Sequence, residues 1–155
     1  MCNQPNEGRE TLSVSKLSIF INRPLKVVFD YISNPANNNQ WQTNTKSAGW
    51  ISDGSPGIGS TYKMVVNNFG RVTESVVEIT SWDPPDHLSI KSVNGPVLVE
   101  GKTILTAQGD GTLVTYTSHV YISGFFKMAE SLVSKLFRKG FEANLTNLKS
   151  KLEAG

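Results

Sequence analysis

The sequence predicts a single α+β domain: a curved antiparallel sheet of six or seven strands, two short helices after the first strand, and one long C-terminal helix. Three observations carry this reading. Between about residues 45 and 122, apolar residues recur at period two in runs separated by turns rich in Gly, Asn and Asp. From Gly124 the period changes to three and four residues and holds to Leu152. The chain has 155 residues, 38% of them hydrophobic and 18% charged, which suits one globular domain burying about two thirds of its unfolded surface.

Residues 1–10 are polar and read as a disordered tail, leaving 11–155 as the domain. In "TLSVSKLSIFI" Leu17, Ile19 and Ile21 share one face of a strand. Asn22 can cap the following helix, with Pro24 tolerated in its first turn. Leu25, Val28, Phe29 and Ile32 then form an apolar helical stripe, which Asn34-Pro35 ends. "ANNNQWQ" reads as a second short helix finishing near Trp41.

Strands follow in "TKSAGWIS", "STYKMVVN", "RVTESVVEIT", "LSIKSV", "VLVEGKTILTA" and "TLVTYTSHVYI". Their short connections make them neighbours in one meander. The last segment places Phe125, Met128, Ala129, Leu132, Leu136, Phe141, Leu145, Leu148 and Leu152 on one stripe of a helix of about 25 residues. Its lysines and arginines lie off that stripe, on a solvated face. Gly140 falls inside the helix and permits a bend or close contact.

A net charge of +2, with basic residues dispersed except near the C-terminus, argues against a nucleic-acid partner. The lone Cys2 offers no internal disulfide, no run of 18 apolar residues exists, and the first ten residues do not read as a signal peptide. The expectation is a cytoplasmic protein with no integral membrane association, monomeric or weakly dimeric. The Asn144-Leu145-Thr146 triplet fits the glycosylation pattern by chance.

The stretch "DGSPGIGSTY" has Gly54 and Gly59 spaced as in a nucleotide phosphate loop. Such a loop needs a lysine after its second glycine and then a helix; here Ser60 and a strand follow. It is a glycine-rich turn between strands.

"IFINRPLKVVFDYISNP" with Trp41 after it, "GIGSTYKM", "VVEITSWDPPDHLSI", "GDGTLVTYT" and "LTNLKSKLE" stand in an order and spacing that resemble one family. They are similar to the polyketide cyclase/dehydrase branch of the START-like (SRPBCC) superfamily, over about residues 12–152. The resemblance implies a helix-grip fold, in which the sheet wraps around the long helix and encloses a cavity. It places Trp41, Tyr62, Met64, Tyr116, Phe125, Phe137 and Phe141 as candidate ligand contacts; each could equally fill the core. It also sets Trp41 and the Gly54–Gly59 turn near the cavity mouth, where the glycines would make the turn mobile. The superfamily includes lipid carriers, hormone receptors, cyclases and hydratases, so fold alone does not select a function.

The residues offer little acid–base chemistry. His119 shares strand parity with Thr115, Thr117 and Tyr121 and is expected to point outward, while His87 sits in the "DPPDH" turn. Glu74, Glu78 and Glu100 fall on polar strand faces. Thr73, Ser75, Thr103, Ser118, Tyr62 and Tyr116 are interior polar groups that could orient a ligand. No cysteine–histidine pattern marks a metal site and no cofactor is implied. The expected function is binding or carriage of a small hydrophobic molecule (a lipid, or an aromatic or polyketide-like compound) with no evident catalytic centre. The alternative is a cyclase or dehydratase acting mainly by positioning its substrate, with Tyr116 or His119 as the weak catalytic candidates.

Overall fold

The computed structural model describes residues 10–68, 70–95, 97–122 and 130–155. Seven strands form one antiparallel sheet in the order β1-β7-β6-β5-β4-β3-β2. They are β1 (Glu10–Ile21), β2 (Thr45–Trp50), β3 (Thr61–Asn68), β4 (Arg71–Asp83), β5 (His87–Ser92), β6 (Val97–Gln108) and β7 (Gly111–Ile122). Between β1 and β2 lie α1 (Leu25–Ile32), a 3₁₀ turn (Pro35–Asn37) and α2 (Asn38–Trp41); α3 (Glu130–Ala154) follows β7. The curved sheet, two short helices and long C-terminal helix are the helix-grip architecture that the sequence predicts.

Short turns enforce the meander. Gln108 pairs with Gly111 and Asn68 with Arg71, so each connection leaves two residues outside the ladder. The first strand closes the sheet from the other side, pairing Ile21 with Thr112 and Leu17 with Tyr116. Gly111 makes this closure possible. A Cβ there would collide with the Phe20 ring and lie 2.8 Å from the Ile21 carbonyl oxygen.

Alternation along β1 and the stripe of α1 bury Ile21, Val28 and Phe29 against Leu145, Leu148 and Leu152 of α3. Phe29 also meets the Trp82 ring edge-on at 5.4 Å. Polar contacts fasten the same corner. The Lys149 ammonium donates to the Phe20 carbonyl at 2.7 Å, and Arg23 donates to the Leu152 carbonyl at 2.7 Å. Asn22 does not cap α1 with its side chain: Pro24 occupies that position with extended backbone, and the Asn22 backbone N–H donates to Glu153 Oε2 at 2.8 Å.

The apolar line of α3 differs in part from expectation. Val133, Phe137 and Phe141 pack inward, whereas Leu132 and Leu136 are 61% and 42% exposed. At 3.6 residues per turn they fall one step off the line that Val133 and Phe137 define. Met128, Ala129 and Phe125 lie outside the described residues, as does any helical start near Gly124.

The glycine-rich turn spans 51–60, with Gly54 at φ +85° and Gly59 at φ +89°. It is tied down rather than free: Gly59 N–H donates to the Ile79 carbonyl and Ile79 N–H to the Ser60 carbonyl, both at 2.9 Å. A strand follows it, as predicted.

Two stability outcomes follow. Leu148→Ala, at a side chain 1% exposed, should lower the unfolding free energy by about 2–5 kcal/mol in urea titration. Gly111→Ala should cost about 1–3 kcal/mol, because Phe20 must move; an unchanged denaturation midpoint would show that the β1–β7 approach is not tight.

Candidate ligand cavity

The aliphatic residues of the C-terminal half of α3 fill one end of the sheet's concave face. Toward the other end Gly140 carries no side chain, and a Cβ built there would meet nothing within 4 Å. The space left between helix and sheet is a cavity of about 990 Å³. That is at the upper end of the range for small-molecule sites.

Strand alternation supplies its wall. Inward positions of β3 present Tyr62, Met64 and Val66; β4 presents Thr73, Ser75 and Val77; β5 presents Leu88 and Ile90. Phe137 and Phe141 of α3 face them, their rings 6.1 Å apart, and Phe141 meets the Tyr116 ring edge-on at 5.4 Å. The structure therefore brings Trp41, Tyr62, Met64, Tyr116, Phe137 and Phe141 together around one void. Phe125 lies outside the described residues.

Two tyrosines differ in what they offer. The Tyr62 hydroxyl is hydrogen-bonded to the Asn38 side chain; burial, and then the nearby Tyr116, push its pKa well above the usual phenol range, against the lowering effect of that bond. Tyr116 is raised likewise by burial alone. Its hydroxyl occupies the notch left by Gly101, where a Cβ would lie 2.8 Å from Oη. No hydrogen bond to Tyr116 is formed among the described residues. Both phenols stay protonated at neutral pH and act toward a ligand as hydrogen-bond donors, not as bases.

Trp41 lines the cavity, while Asn147 Nδ2 donates to its backbone carbonyl at 3.2 Å. Its indole Nε1 is buried with no partner among the described residues. A ligand in the cavity would meet the ring carbons rather than that N–H. Thr73, Ser75 and Thr103 reach the cavity as expected, but Ser118 does not: it is fully buried beside it, its Oγ also partnerless among the described residues.

The histidines lie elsewhere. His119 sits opposite Glu100 on the outer face of β7, between the fully buried Ser118 and Val120. His87 lies at the head of β5, with Nε2 2.9 Å from Ser89 Oγ and Nδ1 3.3 Å from Ser81 Oγ. Glu78 pairs with Lys91 at 3.3 Å on the outer surface. Among the described residues, the charged ones in the lining are Arg71 and Glu74, both near the mouth.

The Gly54–Gly59 turn does not line the cavity, whereas Trp41 does and directly precedes the mouth. That mouth lies among the α2–β2 connection, the β3–β4 turn, the β5–β6 turn and α3, and is rich in amides: Gln42, Asn44, Asn67, Asn68, Asn94 and Asn144. The Gly54–Gly59 turn is at the opposite end of the β2–β3 ladder. There Pro56 borders a separate recess with Phe29, Trp50 and Trp82. It therefore does not form a lid on this cavity. Sequence reading missed the amides because Asn in a turn is explained by the turn itself. Asn144 alone left a signal, a polar residue three after Phe141 on the inward side of α3.

Among the described residues no helix is long and apolar enough to cross a membrane. No curated protein matches the sequence. Solved structures do match in fold. A Thermus thermophilus protein is 19% identical, with 91% of this chain and 97% of that one covered and a TM-score of 0.79. A START superfamily protein from Mycobacterium smegmatis is 14% identical over 91% and 97%, at 0.76. The Zhui aromatase/cyclase of Streptomyces is 11% identical over 90% and 93%, at 0.75. Residues 14–153 match the family described as polyketide cyclase / dehydrase and lipid transport, and with nearly the whole chain covered the protein belongs to that family.

Proposed function

We propose that the protein binds or carries a small hydrophobic molecule, lipid, aromatic or polyketide-like, and performs no acid–base chemistry on it. The observation that carries this reading is a cavity of about 990 Å³ in which, among the described residues, the ionisable groups away from the mouth are two phenols, protonated at neutral pH. Trp41, Met64, Phe137 and Phe141 supply apolar contact, and Tyr116 supplies a hydrogen bond to a ligand oxygen. A cytoplasmic location and a monomeric or weakly dimeric state complete the reading.

Gly140 separates binding from stability. Gly140→Leu puts an apolar side chain into the void while replacing a poor helix former, so it should raise stability by up to about 1 kcal/mol. The same substitution should weaken Nile red binding at least about tenfold, close to 1.4 kcal/mol. Absence of any co-purifying molecule in native mass spectrometry, together with absence of dye binding, removes the proposal.

A second reading rests on Tyr116. An unpartnered phenol in an apolar cavity can donate to a carbonyl or enolate oxygen, and a folded substrate held there could cyclise through positioning. The family's description and the aromatase/cyclase neighbour support this alternative. Tyr116→Phe should then lower kcat for a poly-β-ketone substrate by about 10²–10³ with little change in stability. Equal turnover by the two proteins, or none by either, leaves the carrier reading.

A further inference from the structure

Four amide side chains at the cavity mouth have spent their carbonyl oxygens on the protein itself. Asn144 Oδ1 accepts the Thr43 backbone N–H at 2.9 Å, and Asn94 Oδ1 accepts the Val76 backbone N–H at 2.8 Å. A backbone N–H can only donate, so these two side chains must meet it with oxygen and turn their NH₂ groups away from it. Asn68 Oδ1 accepts from Asn44 Nδ2 at 2.8 Å, and Gln42 Oε1 accepts from the Thr45 hydroxyl at 2.8 Å. No hydrogen bond among the described residues uses the amide nitrogens of Gln42, Asn68, Asn94 or Asn144.

Arg71 stands on the same rim and forms no ion pair among the described residues. Three acceptors oppose these donors. Glu74 is partly neutralised by Lys63 at 3.7 Å, the Asn44 side-chain oxygen is a single dipole, and Asn67 offers an acceptor and a donor alike. The rim is therefore rich in donors and carries one cation, while the cavity behind it is apolar. An alcohol offers these donors one uncharged oxygen with two lone pairs, and an ammonium group offers none. A carboxylate accepts at both oxygens and matches Arg71 in charge.

We propose that the mouth is a head-group site for a carboxylate, so that the ligand is an elongated apolar molecule with its body in the cavity and its carboxylate among Asn94, Asn144 and Arg71. This rests on the ligand-binding reading above. The test uses Nile red displacement by hexadecanoate, hexadecan-1-ol and hexadecylamine, which share one chain and differ only at the head. Hexadecanoate should bind at least about tenfold more tightly than either of the others. Asn94→Asp and Asn144→Asp each keep an oxygen for the Val76 or Thr43 N–H and replace the NH₂ with oxygen. Each should cut that preference at least about fivefold, read as the ratio of hexadecanoate to hexadecanol affinity within the same variant. Equal binding of acid and alcohol, or an unaltered preference in both variants, overturns the head-group assignment alone. Failure of the wild-type protein to bind the dye or any of the three chains overturns the cavity reading and this one with it.

Discussion

The corner where the C-terminal half of α3 meets β1 and α1 governs the rest of the molecule. Leu145, Leu148 and Leu152 pack there against Ile21, Val28 and Phe29. Lys149, Arg23, Glu153 and the Asn22 backbone bind the same two segments through polar contacts. Because one end of the helix is fixed in this way, its other half can stand over the sheet without filling the space beneath. A helix packed evenly along its length would close the cavity. One packed nowhere would leave a large apolar face in water, at about 25 cal/mol per Å².

Polar groups are sorted by the two faces of the sheet. Ion pairs such as Glu78–Lys91, and the His87 contacts with Ser81 and Ser89, occupy the outer face. The inner face keeps hydroxyls and amides, groups whose charge does not change near neutral pH. Among the described residues, the interior behind the mouth can hold and orient a molecule through hydroxyls and amides that keep their protonation near neutral pH.

Most of the fold was legible because it rests on periodicity and turn chemistry. The switch from alternation to a three- and four-residue period located α3, and the Gly and Asn turns located the strand junctions. The wall aromatics were legible only through resemblance, since alternation places Tyr62 and Tyr116 inward without saying whether they meet a ligand or other side chains. Three points were not legible. Leu132 shares a spacing with the true inward line but lies beside it, a difference of one helical step that a stripe pattern does not resolve, while Leu136, 42% exposed, borders the cavity. The Gly54–Gly59 turn is tied to Ile79 by backbone bonds that composition cannot show. Ser118 has inward parity yet is sealed from the cavity.

The pairing of β1 with β7 joins the start of the domain to a strand almost 100 residues later, as in the Ile21–Thr112 pair. Loop closure over that span must be completed before any of those contacts forms, so the chain has high contact order and is expected to fold slowly for its size. On the ribosome the meander from β2 to β7 can assemble strand by strand as it emerges. The first strand must wait, its apolar face unpaired, until β7 has left the exit tunnel and α3 follows to cover the corner. Strand β1 is thus made before the rest of the sheet and is among the last parts of it to be protected, and that interval is when the nascent chain is most open to aggregation or to a holding chaperone.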